Sequence, residues 1–158
     1  MAGNRRGYRR RGVTVIECAI VLPVAFILML VLIIGGLGIF RYQEVASLAR
    51  EGARWASVHG GQSVREANPT SANPTLTSSN DIMNNAVQPN AVILDPASLS
   101  CTASWTDASQ MPAYLDYSKT PPAWKINTVT VTVQYQWIPE MYLGGITLSS
   151  TSVMPISY

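Results

Sequence analysis

Glu17 is the residue whose type and placement point most directly to chemistry. It follows a basic cluster, Arg9-Arg10-Arg11, then Gly12 and four uncharged residues, Val13 to Ile16. Directly after it come 23 residues without a formal charge, Cys18–Phe40, almost all of them apolar. As a helix at about 1.5 Å per residue, that run spans roughly the 30 Å of a bilayer core. A carboxylate at the mouth of such a helix is costly, so it is either used or it snorkels to the headgroups beside the arginines. Its position makes Glu17 a functional-site candidate by default.

The elements that must hold this carboxylate follow from composition and charge. Hydrophobic residues make up 47% of the chain and charged residues 13%, the balance expected with a bilayer segment. The net charge of +2 is unevenly placed. Arg5, Arg6, Arg9, Arg10 and Arg11 precede Val13 with no acidic residue among them, and from Val13 onward six basic residues face nine acidic ones. The basic residues thus form a topology signal rather than a nucleic-acid surface, and nucleic acid is not expected as a partner. By the positive-inside rule the N-terminus stays cytoplasmic and the C-terminal portion crosses the membrane. A cleaved secretory signal has a shorter apolar core, about 7–15 residues, followed by small residues. Here Phe40-Arg41-Tyr42-Gln43-Glu44 follows instead. A twin-arginine signal lacks its usual context, and a lipoprotein site would not carry Glu17 before Cys18. A permanent anchor fits best. Pro23 is expected to kink it, and Gly35, Gly36 and Gly38 to loosen its outer end or admit a close neighbour.

The helical pattern continues past the bilayer. Val45, Leu48, Ala49, Gly52, Ala53 and Ala56 recur at three- and four-residue spacing and form an apolar stripe of mostly small residues. The stripe is expected to lie on the chain's own domain, with a helix–helix seam as the other use. Gly60-Gly61 is expected to end the helix with a left-handed cap, His59 sitting on the last turn. From Val13 to His59 such an element is about 70 Å long.

Gln62 to Asn80, rich in Ser, Thr, Asn and Pro, reads as a loop. Ser79 or Asn80 is placed to cap a short helix over Asp81–Val87, ended by Pro89, with Ile82, Met83, Ala86 and Val87 as its apolar members. Leu99–Trp105 alternates apolar and polar residues, and Ile126–Trp137 does so for twelve. The second segment puts Asn127, Val129, Val131, Val133, Tyr135 and Trp137 on one face. Ile146–Ile156 supplies a last strand, antiparallel to it through Pro139–Gly145. Three such strands need cover, and the Val45–Ala56 stripe is the apolar helix surface available for it. The fold class is therefore α+β: a long N-terminal transmembrane helix extending into a small extracytoplasmic domain with a short antiparallel sheet. The corresponding regions are a basic cytoplasmic leader (1–12), a transmembrane helix (13–40), a helix extension (41–60) and an extracytoplasmic domain (61–158).

Arg10-Arg11-Gly12, Val15-Ile16-Glu17, Val21-Leu22-Pro23, the segment from Ala49 to Arg54, Val129-Thr130-Val131 and Leu148–Met154 together resemble the TadE-like minor pilins (pseudopilins) of tight-adherence type IV pilus systems. The likeness is densest over Arg9–Ala56. It departs from the major pilins of these systems at Cys18, where they carry tyrosine, and in the size of the ectodomain. The resemblance implies that a prepilin peptidase cuts between Gly12 and Val13, glycine leaving the backbone unobstructed. It also implies that Glu17, one turn from Val13, pairs with the new amino terminus of a neighbouring subunit during assembly. The partners implied are the inner membrane, the prepilin peptidase, other major and minor pilins and the pilus assembly machinery. No cofactor, metal or catalytic residue is expected, and enzyme activity is not. The scattered carboxylates Asp81, Asp95, Asp107, Asp116 and Glu140 read as solvated groups. Tyr114, Tyr117, Trp124, Trp137 and Tyr142 read as sheet packing or as a contact surface. An intermolecular bridge through Cys101 stays open, as does the alternative of an unprocessed, membrane-tethered binding module.

Overall fold

A computed structural model describes residues 8–71, 75–137 and 145–157, with side chains from residue 13 onward. The chain divides into two compact units, Met1–Ile39 and Phe40–Tyr158. One helix, α1 (Tyr8–Val58), contributes to both.

The first unit is the apolar part of α1. Every side chain from Val13 to Ile33 is exposed, which for Val, Ile, Leu and Phe requires a surrounding other than water. A side chain added at Gly35 or Gly36 would meet open space. The helix runs through Pro23, which has no N–H to offer the carbonyl of Ala19.

The second unit is built around the C-terminal end of α1. Its expected stripe is its buried face: Val45, Leu48, Ala49, Gly52, Ala53 and Ala56 are all buried. The opposing surface is a three-stranded antiparallel sheet in the order β1-β4-β5, from β1 (Leu99–Trp105), β4 (Thr128–Trp137) and β5 (Ile146–Pro155). Its register pairs Leu99 with Tyr135 and Trp137 with Ile146. Val129, Val131, Val133, Tyr135 and Trp137 are buried, while the threonines between them face outward, as alternation requires. Gly52 sets the spacing of helix and sheet. A Cβ there would lie 3.3 Å from the Val131 Cγ1 and Ile82 Cγ2 methyls. Beyond the sheet edge, α3 (Ser79–Ile82) runs into a π-type turn (Met83–Val87) and a short 3-10 turn (Gln88–Asn90). Ile82, Ala86 and Val87 close the core from that side.

Four local expectations are corrected. Gly60 is extended, not left-handed (φ −77°, ψ −170°), because the chain re-enters a helix at once, α2 (Gly61–Ala67), where a loop was expected. Gly61 is required by proximity instead: a Cβ would strike the backbone carbonyl oxygen of Ser109. The cap of α3 is Ser78, one residue earlier than expected. Its hydroxyl accepts from the Asp81 N–H, and the Asp81 carboxylate accepts from the Ser78 N–H, a reciprocal capping box. Pro89 lies within the 3-10 turn that follows. Finally, the sheet count rises: β2 (Tyr114–Asp116) and β3 (Ala123–Lys125) form a separate two-stranded antiparallel pair. The connection expected over Pro139–Gly145 falls, apart from Gly145, outside the described residues, as do Glu140 and Tyr142.

Buried polar groups tie these parts together. Gln110, itself at a positive φ of 52°, exchanges two hydrogen bonds with the Thr77 backbone. Its carbonyl accepts from the Gly61 N–H at 2.6 Å. Fully buried Asn127 donates to the Met111 carbonyl at 2.8 Å. His59 ends α1 as expected: it stacks on Trp55 with ring centroids 4.1 Å apart, and its Nδ1 donates to the Trp55 carbonyl at 2.9 Å.

Candidate functional site

Gly12, Val13 and Glu17 all lie in α1. The helix exists here because Val13–Leu22 contains no strong breaker and every backbone group finds an internal partner. Glu17 is four positions after Val13, so helical geometry puts both on one face, a turn apart. Both are exposed. No described cation lies within ion-pair distance of Glu17. The carboxylate is exposed on the helix, one turn after Val13. Such a group can accept a cation from another molecule. Cys18 is also exposed, and Cys101 lies in β1, partly buried, where burial pushes its thiol pKa up.

The carboxylates read as solvated surface have structural work as well. Asp81 closes the capping box, and that backbone hydrogen bond from Ser78 holds its pKa below the ordinary carboxylate value. Asp107 accepts from the Ser109 N–H and pairs with Lys125 at 3.5 Å. Asp116 accepts from the Ser118 hydroxyl and N–H. Of the aromatics, Trp137 is core, whereas Trp124 and Tyr117 stand well exposed around the small β2–β3 pair.

One residue escaped the sequence reading. Glu44 is on the extension of α1, and its Oε1 accepts from the N–H groups of both Val92 (2.9 Å) and Ile93 (3.0 Å). Its Oε2 is shielded and has no hydrogen-bond partner among the described residues. Beside it, the Arg41 guanidinium lies 5.2 Å from the Trp137 ring centroid. Both partners are tens of residues distant, so local spacing gave no signal. The one available hint was two charged residues placed directly after the apolar run.

The segment holding this geometry also has relatives. Residues 12–54 match the family of TadE-like proteins. The TadE-like segment begins at Gly12, takes in Val13, Glu17 and the whole apolar run, and stops within the buried stripe. It agrees with the family whose motifs the sequence resembles. Comparison with curated proteins and with solved structures returns no match. Among the described residues one helix is long and apolar enough to cross a membrane, and it fits a single-pass membrane anchor.

Proposed function

We propose that the protein is a minor pilin, or pseudopilin, of a tight-adherence pilus, processed by a prepilin peptidase between Gly12 and Val13. The observation that carries this reading is the TadE-like match over residues 12–54, which begins at the proposed cleavage site and includes Glu17. The leader stays on the cytoplasmic side, as the arginines direct, and the second unit lies outside the inner membrane. After cleavage the Val13 α-amino group and the Glu17 carboxylate are one turn apart on each subunit. In a neighbouring subunit the same pair offers the complementary charges, so subunits exchange ion pairs at a depth where an isolated charge is costly. The partners are then the peptidase, other major and minor pilins and the assembly machinery. In this reading the chain is a structural subunit and not an enzyme.

The test is the mature N-terminus, read by mass spectrometry of the membrane fraction with and without the peptidase. A peptidase-dependent start at Val13 is expected. An intact leader in both strains would leave an unprocessed, tethered binding module. For Glu17, the Glu17→Ala variant is expected to reach the membrane at a normal level but to be lost from pili. Normal incorporation would remove Glu17 from the mechanism.

A further inference from the structure

We propose that the loop Ala91–Leu94 is a lipid-contacting element, whose Val92 and Ile93 side chains enter the bilayer surface and seat the second unit on the membrane. The proposal rests on the reading of Cys18–Phe40 as the membrane span.

Val92 is 85% exposed and Ile93 51%, while the next residue, Leu94, is buried at 3%. The loop is thus anchored by Leu94 and turns two large aliphatic side chains outward. It is also held in place: both outward residues give their backbone N–H groups to the Glu44 carboxylate. A carboxylate that accepts both amides ties the loop to the helix while both side chains stay exposed.

The position of that carboxylate identifies the occupant. The uncharged run ends at Phe40, and Glu44 follows four residues later on the same helix. Four residues are about 6 Å of helix. The interfacial layer outside the hydrocarbon core is of the same depth, roughly 5–7 Å per leaflet. A loop tied at Glu44 therefore lies at headgroup level when Phe40 lies at the edge of the hydrocarbon. Its neighbourhood has the composition of that layer. Phe40, Tyr42 and Ile146 are about half exposed, and Arg41 lies against Trp137. The loop from Ala91 to Leu94 carries no charge that would be dehydrated there. A protein partner fits less well, since stable interfaces need about 20–30 residues a side. Two protruding aliphatic side chains suit a fluid apolar surface, where each contributes by its own burial.

The test uses the full chain in phosphatidylcholine vesicles, with Cys18→Ala and Cys101→Ala to remove the native thiols. A thiol-reactive, environment-sensitive fluorophore is placed by Val92→Cys, by Leu30→Cys within the span, or by Ser104→Cys near the far end of β1. Lipids spin-labelled near the headgroup or deep in the acyl chain, and aqueous iodide, serve as quenchers, the first matched to the depth of the Val92 probe and the second to that of the Leu30 probe. The expected result is that the Val92 and Leu30 probes lose emission to spin-labelled lipid, whereas the Ser104 probe loses it to iodide alone. If Leu30 is quenched by lipid and Val92 is not, the proposal is overturned while the span stands. A Val92 probe shielded from both quenchers overturns it equally, in favour of a protein neighbour. If Leu30 itself escapes lipid quenching, the span reading fails and the proposal falls with it.

Discussion

Two glycines of the second unit should respond very differently to the same added methyl group. At Gly52 the new Cβ meets side-chain methyls of Ile82 and Val131 at 3.3 Å and of Val87 at 3.5 Å. These must yield by a few tenths of an ångström, and their β-branched rotamers resist. Against that, alanine in a helix interior is favoured over glycine by roughly 0.5–1 kcal/mol. Gly52→Ala is therefore expected within about 1 kcal/mol of neutral, the strain and the propensity gain being of similar size. At Gly61 the obstacle is the backbone carbonyl of Ser109, which cannot rotate away. Relief requires α2 and the Ser109–Gln110 segment to separate, which breaks the 2.6 Å bond from the Gly61 N–H to Gln110. Gln110 is itself fixed by its reciprocal bonds to Thr77, so the shift is resisted on both sides. Unsatisfied buried backbone groups and overpacking together cost about 2–4 kcal/mol. At roughly 4 °C per kcal/mol for a domain near this size, Gly61→Ala should lower Tm by about 8–16 °C. Gly52→Ala should stay within about 4 °C of the parent on the same scale. The assay is thermal unfolding of the full chain in detergent micelles, followed by near-UV circular dichroism. A Gly61→Ala protein that melts with the parent would refute the argument that backbone contact at residue 61 positions α2.

Other expectations follow from burial and charge. Leu48→Ala, at the centre of the stripe, should cost about 2–5 kcal/mol, measured by denaturant unfolding. A loss below that range would mean that the stripe is not the main cover of the sheet. Hydrogen bonds from Ser78 hold the Asp81 carboxyl below its ordinary pKa, so its contribution to stability is present above the unfolded-state value. It is lost as the pH falls through the lower, folded-state value. Asp81→Asn should therefore flatten the acid limb of a stability–pH curve, and an unchanged slope would count against the capping box. Burial raises the Cys101 thiol pKa. In the Cys18→Ala protein, alkylation near pH 8 should be slower when folded than when denatured, and equal rates would place Cys101 at the surface.

Much of this fold was legible because two periodicities were unusually clean. The stripe from Val45 to Ala56 repeats at helical spacing, and Asn127 to Trp137 alternates at strand spacing. Each pattern therefore announces which residues face the core. Glu17 stands out in the sequence for a related reason, as an isolated carboxylate where every neighbour on one side is apolar, and its role is the part that the Glu17→Ala variant tests. The parts that escaped have no local period. Tyr114–Asp116 and Ala123–Lys125 are three-residue strands, too short to alternate, and Trp124 points outward. The helix α2 is led by a glycine and composed largely of polar residues, which looks like loop. Its position comes from contacts with Gln110, nearly fifty residues on. The Glu44 carboxylate likewise meets residues 48 and 49 positions later, a relation that no window of sequence contains.

The last turn of α1 also sets an order of events during synthesis. The Ser57 carbonyl accepts from the N–H and the hydroxyl of Ser157, a hundred residues later, and Ile156 is buried close by. At about 5–20 residues per second, that interval is roughly 5–20 s. Through it the stripe on α1 has been made and its sheet has not. A face of leucines would be adhesive over such a wait. One composed mainly of alanine and glycine exposes little apolar area, so the small residues that let helix and sheet approach closely also keep the nascent chain from sticking to its neighbours.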